Sequence, residues 1–207
     1  MPADKTSPKE SDLVITRIFA APRDLVFKVW TEPKHILNWW GPKGFTAPVC
    51  KVDLRPGGEF LYCMEAPDGK QYWNKGVFHE IVRPEKTTSS IYFSDEKGNI
   101  VESSFYGMKD FPYEMRDVVT FEVIDGDSTM LTLRRNHSVS LAERFGEVQG
   151  WNQSLDKFTE ELAASKGMRN KGKKATSKGN EIRITRVYNA PVHRYSKDIG
   201  KGSRSEI

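Results

Sequence analysis

Val148, Trp151, Leu155, Phe158 and Leu162 follow one another at spacings of 3, 4, 3 and 4. At 3.6 residues per turn they form one apolar stripe along a single helix. Such a helix must lie on a broad apolar surface, and the chain ahead of it supplies one. Phe45 to Leu54 and Glu59 to Glu65 flank the turn Arg55-Pro56-Gly57-Gly58. Tyr72 to Val82 and Thr87 to Ser94 are separated by Arg83-Pro84-Glu85-Lys86, and Met115 to Ile124 and Thr129 to Arg135 by Asp125-Gly126-Asp127-Ser128. Each pair reads as two antiparallel strands joined by turn chemistry. Phe60, Tyr62 and Met64 alternate with Leu61 and Cys63. Both faces of that strand are therefore partly apolar, as in a curved sheet that wraps something.

A further strand opens this body, with Leu13 and Ile15, and Ile18 and Phe19 out of phase, up to Ala20-Ala21-Pro22. Pro22 suits the first turn of a helix, where its missing N–H is no loss, and Leu25, Val26, Val29 and Trp30 give that helix an apolar face. Thr31-Glu32-Pro33 restarts a second short helix through Ile36, Leu37, Trp39 and Trp40, and Gly41-Pro42 stops it. Ser140 and Glu143 are spaced as a capping box ahead of the long helix. The sum is an α+β sandwich: an antiparallel sheet of about six to seven strands, one long helix across it, and two short helices after strand one.

The 207 residues are 37% apolar and 29% charged, enough for one globular domain or a domain plus a fragment. No apolar run approaches the roughly 20 residues of a membrane-spanning helix. The first residues, MPADKTSPKESD, lack the apolar core of a secretory signal, so a cytoplasmic protein is expected. Cys50 and Cys63 are too few for a metal cluster or disulfide framework and read as free, buried thiols.

Charge divides the chain. Residues 1–166 carry 21 Lys and Arg against 25 Asp and Glu, whereas residues 167–207 carry 11 against 3. The stretch KGMRNKGKKATSKGN, 166–180, reads as a basic flexible linker after a domain at 12–165, with 1–11 expected to be disordered. Beyond the linker, IRITRVYNAPVHRY (182–195) repeats LVITRIFAAPRDLV (13–26): Ile15, Thr16, Arg17, Ala21 and Pro22 match Ile184, Thr185, Arg186, Ala190 and Pro191. Residues 181–207 therefore read as the truncated start of a second copy. A lone strand is expected to stay disordered or to add to a sheet edge.

Ala21-Pro22, Trp39-Trp40-Gly41-Pro42, Pro56-Gly57-Gly58-Glu59-Phe60, and Gly150-Trp151 with Leu155, Phe158 and Leu162 carry a resemblance over residues 12 to 165. In this order and spacing the chain resembles the SRPBCC (START-like, helix-grip) superfamily, and within it the branch named after the C-terminal domain of the heat-shock-protein-90 ATPase activator. The resemblance implies a curved sheet that grips the C-terminal helix and encloses a cavity. The named activator carries a separate N-terminal domain, whereas here only about a dozen polar residues precede strand one. That departure weighs against direct chaperone activation.

The wedge between sheet and helix is expected to be lined by Trp39, Trp40, Phe45, Phe60, Tyr62, Trp73, Phe78, Tyr92, Phe121, Trp151, Leu155 and Phe158. Plain core packing is the competing reading of each ring; together they suit a small hydrophobic or aromatic molecule. Asp95 to Pro112 exceeds a hairpin loop. Half of it reads as strands paired about Gly98-Asn99, and Phe105, Tyr106, Met108 and Phe111 read as a lid over the cavity mouth. No catalytic residue, metal ligand set or cofactor motif emerges. His79, in an apolar strand, is a candidate acid or base facing the cavity, and Glu65 and Asp53 are within a ligand's reach at strand ends. The body shows no basic stripe for specific nucleic-acid binding. Three readings follow: non-catalytic binding of a small hydrophobic molecule, a protein-interaction module with a chaperone or other partner, and a small-molecule cyclase or hydrolase. A homodimer is open in each.

Overall fold

The elements of a computed structural model describing residues 12–170 and 185–190 (168–170 and 185–190 by their backbone) are β1 (Asp12–Phe19), α1 (Arg23–Thr31), α2 (Pro33–Trp39), β2 (Thr46–Val52), β3 (Glu59–Glu65), β4 (Gln71–Val82), β5 (Lys86–Ser94), β6 (Met115–Asp125), β7 (Ser128–Ser138), α3 (Val139–Arg144), α4 (Glu147–Asn170) and β8 (Thr185–Ala190). The strands form one sheet in the order β2-β3-β4-β5-β6-β7-β1-β8, antiparallel throughout. Strand order follows chain order from β2 to β7. β1 then closes one end beside β7, as Leu13 to Phe19 pair with Arg135 to Thr129. This is the helix-grip arrangement: seven strands of the body, two short helices after the first, and a long helix at the end. β8 extends the sheet along the free edge of β1, with Asp12 opposite Ala190 and Arg17 opposite Thr185. The expectations for residues 1–11, and for the linker and repeat at 171–184 and 191–207, lie outside the described residues. Residues 166–170, counted with the linker from their composition, continue α4.

Period-two alternation selects what α4 meets. Leu13, Ile15, Leu131, Leu133, Val119 and Phe121 stand on the helix-facing side of β1, β7 and β6, and all are buried. Trp151, Leu155, Phe158 and Leu162 of α4 join the same cluster. Phe158 meets Phe19 at 4.9 Å, and Trp30 lies near-parallel between Trp39 (5.0 Å) and Trp151 (6.0 Å). Burying each such side chain contributes about 1.5–3 kcal/mol. Trp39 is buried with its polar atom satisfied, as its Nε1 donates to Val29 O at 3.0 Å.

Several local features differ from the sequence reading. Pro22 occupies the N-cap of α1 rather than its first turn, whereas Pro33 does open α2. The cap before the last helices is Ser138, whose hydroxyl accepts from Leu141 N; it starts a separate short helix, and Gly146, with φ of 70°, breaks the path before α4. The strands expected about Gly98-Asn99 shrink to one bridge, Ser94 with Ile100, because Asp95 accepts the backbone N–H groups of Lys97 and Asn99 and closes the chain into a turn. A 3-10 turn, Ser103–Tyr106, follows. Gly76 is required by close approach: a Cβ there would stand 2.1 Å from the Phe60 ring, which folds across β4 at this point.

Candidate functional site

Between the sheet and the N-terminal end of α4 lies a cavity of about 390 Å³. Its floor is the concave face of β3 to β6, presenting Met64, Tyr72, Asn74, Ile91, Phe93 and Met115. The α2–β2 corner adds Trp40, Gly41, Pro42 and Phe45; the 103–111 segment adds Tyr106, Met108 and Phe111; and the helices add Phe145, Gly150, Trp151 and Ser154. A second space of about 40 Å³ lies deeper, and Trp40, Ile91 and Trp151 border both. The larger volume falls in the range of small-molecule sites, and the smaller has room for a water molecule.

Three constructions hold the walls. Lys157 of α4 donates from Nζ to the carbonyl oxygens of Trp40, Gly41 and Phe45 at 3.4, 3.1 and 3.0 Å, fixing the α2–β2 corner to the helix. Burial lowers the pKa of this ammonium group. Tyr106 enters the end of the β4–β5 ladder, where its hydroxyl accepts from Trp73 N–H at 3.0 Å and donates to Ser94 O at 2.6 Å. Ser103 Oγ ties the same segment together by donating to Phe111 O.

The third construction is ionic. Arg135 donates twice to Asp117, Nε to Oδ1 and Nη2 to Oδ2, both at 2.6 Å, and from Nη1 to Glu147 Oε1 at 2.6 Å. His137 Nε2 lies 2.6 Å from the other oxygen of Glu147, and Trp151 Nε1 donates to Oε1 at 3.3 Å. Burial pushes the Glu147 carboxyl up, but Arg135 and His137 outweigh it and hold its pKa below the ordinary carboxylate range. The arrangement fixes the first residue of α4 to β6 and β7 through charge-assisted bonds.

The structure separates the expected cavity residues into four sets. Trp40, Phe45 and Trp151 line the large cavity, while Trp39, Phe60, Tyr62 and Phe78, with Trp40 and Trp151, line the small one. Phe121, Leu155 and Phe158 border neither; they are packed in the core beneath α4. Trp73 and Tyr92 sit on the opposite face of the sheet, because each is one residue out of phase with Asn74, Ile91 and Phe93. In the expected lid, Tyr106, Met108 and Phe111 form a wall, while Phe105 is 64% exposed and points away. His79 is on the outer face, 2.8 Å from Ser90 Oγ, and does not border the cavity. Glu65 accepts from Gln71 and Asp53 pairs with Arg55, both off the lining.

Asn74 and the Asp117–Arg135–Glu147–His137 group escaped the sequence reading. Phase was the available signal: Arg135 and His137 continue the Leu131, Leu133 alternation, Asp117 precedes Val119 and Phe121, and Asn74 falls between Tyr72 and Phe78. Polar residues at core-phase positions mark buried networks or sites. Among the described residues no three His, Cys, Asp or Glu side chains are grouped to hold a metal ion, and no helix is long and apolar enough to cross a membrane.

The family model for activator of Hsp90 ATPase homolog 1-like protein matches residues 20–163. No curated protein matches. Among solved structures, an X-ray structure of a Nitrosomonas europaea protein is 26% identical over 76% of this chain and 97% of its own, with a TM-score of 0.62. A Mycobacterium smegmatis protein is 27% identical over 75% of this chain and 90% of its own, with a TM-score of 0.60. A Silicibacter pomeroyi protein is similar in fold, at 22% identity and a TM-score of 0.59, covering 75% of this chain and 99% of that one.

Proposed function

Since the chain belongs to the activator of Hsp90 ATPase homolog 1-like family, within which fold and function are separable, we propose that it binds a small hydrophobic or aromatic molecule in the cavity between sheet and helix, without catalysis. The observation that carries this reading is the 390 Å³ space floored by aromatic and methionine side chains. Rings offer flat apolar area, and the thioethers of Met64, Met108 and Met115 adapt to a bound shape. The charged groups on the wall are committed to one another: Glu147 is engaged by Arg135, His137 and Trp151, and Arg135 by two carboxylates. None of them is poised over the cavity as a free acid or base. The free thiols Cys50 and Cys63, whose pKa values burial pushes up to about 12 and about 11, fit a reducing, cytoplasmic setting.

A thermal-shift screen with apolar and aromatic compounds tests the proposal. A ligand at 100 times its dissociation constant adds about 2.7 kcal/mol to stability. A broad panel with no shift sinks it.

One observation favours a second reading, a module that binds a folded partner such as a chaperone. The segment beside the cavity exposes Ile100, Phe105 and Tyr113 to solvent. Exposed apolar side chains of this size suit a protein contact. Replacing all three with Ser abolishes capture of the chaperone on that reading and leaves small-molecule binding intact on the first.

A further inference from the structure

The apolar walls account for a hydrophobic guest, but they do not account for Asn74. This residue stands on the floor of the cavity, directly opposite Tyr62 on β3 and Phe93 on β5, and only 6% of it is exposed. Its side-chain amide has no hydrogen-bond partner among the described residues, although it sits in a row of rings where an apolar residue would pack without penalty. Trp40 repeats the pattern one wall away. Its ring packs on Tyr62 at 5.1 Å, the residue opposite Asn74, and its Nε1–H is buried with no acceptor. Buried polar groups are nearly always paired. The Asn74 amide opens onto the cavity and the Trp40 N–H is sealed in its wall, so an acceptor supplied from outside the chain reaches Asn74 directly and Trp40 as its ring turns toward the guest.

Charge narrows the class. Arg135 is the cation on the lining, and its guanidinium is filled by Asp117 and Glu147. The Lys157 ammonium is turned into three backbone carbonyls. A carboxylate guest would meet Glu147 without gaining a cation of its own. Resting on the reading that the cavity binds a small apolar molecule, we propose that its ligands are neutral molecules with a ring-sized apolar body and a carbonyl-type acceptor, seated on the Asn74 amide and the Trp40 indole N–H.

Three probes with the same pair of phenyl rings test this: diphenylmethane with no polar group, benzophenone with a neutral carbonyl, and diphenylacetate with a charge. Their affinities are measured by calorimetry on the full chain and on Asn74→Leu and Trp40→Phe, two separate variants that each delete one donor. The expected result is benzophenone about tenfold tighter than diphenylmethane, the fold-change of one well-made hydrogen bond, and diphenylacetate weakest. In either variant the benzophenone-to-diphenylmethane ratio falls to within about threefold of unity. Because the ratio is taken within one protein, a loss of overall stability does not imitate it, and either variant alone suffices if the other fails to fold. Equal affinities in the unmodified chain, or a preference that survives both variants, overturn the anchor while leaving the cavity reading intact. Tightest binding of diphenylacetate overturns neutrality. If none of the three binds, the cavity reading fails and the anchor with it.

Discussion

The two halves of the concave sheet face meet the same helix and come out differently. On β6, β7 and β1 the inward row is Val119, Phe121, Leu131, Leu133, Leu13 and Ile15, and it is buried in one cluster with Leu155, Phe158 and Leu162, only Val119 of these bordering the small space. On β3 to β5 the inward row is Met64, Tyr72, Asn74, Ile91 and Phe93, and over it lie Trp40, Trp151 and the 103–111 segment at a distance that leaves 390 Å³. The first half contains branched aliphatic side chains that interdigitate. The second contains rings and thioethers that line a space and do not fill it. The boundary between them is the buried ionic group at Asp117, Arg135 and Glu147, which holds the start of α4 at a fixed height over β6 and β7. Close packing is concentrated on one side of that boundary and open volume on the other.

The contrast breaks most visibly under large-to-small substitution. Phe158→Ala should cost about 3–5 kcal/mol, because a fully packed ring is removed from a core that cannot collapse. Phe93→Ala should cost about half as much, since its ring already borders open space, while altering ligand affinity; chemical denaturation of both variants measures the difference. Equal losses would mean that the second half is as tightly packed as the first. Next in size is the boundary. Arg135→Met leaves Asp117 and Glu147 buried without their cation and should cost about 3–4 kcal/mol, and restoring neutrality with Asp117→Asn and Glu147→Gln should recover most of it.

A smaller effect belongs to the outer surface. Glu114 receives hydrogen bonds from Arg116, Ser90 and Tyr92, which together hold its pKa at about 2 against an ordinary 4.5. Its stabilisation is complete above pH 4.5 and fades as the pH falls toward 2. Glu114→Gln should flatten the acid limb of a pH–stability curve by roughly 1–2 kcal/mol, allowing for the solvent on its flank. A limb unchanged by this substitution would remove Glu114 from the account. Least of all should follow from ending the chain after Asn170. That removes β8 from the edge of β1 but no residue of either half, and the melting free energy should move by no more than about 1 kcal/mol, with any new self-association visible by sedimentation. Loss of folding would make β8 integral.

Element order, strand pairing and the α4 stripe were legible because they follow from period: two for the strands, 3.6 for the helix. The closed half was legible as apolar, yet Phe121, Leu155 and Phe158 were indistinguishable in sequence from cavity walls, since a ring in phase says only which way it points and not whether something meets it. Trp73 and Tyr92 were misplaced by counting aromatics where alternation should have been counted. The cavity itself depends on the height of α4 over the sheet, which Arg135 and Glu147 set across the molecule and no local window contains.

Tyr106 carries a consequence for time. Because the Trp73 amide hydrogen is held by the Tyr106 hydroxyl, its exchange with deuterated solvent requires the 103–111 wall to lift, even while the rest of β4 stays protected. That single amide is thus a built-in clock for the opening of the cavity. Ligand residence times can be read against its rate, and Tyr106→Phe would set it running freely.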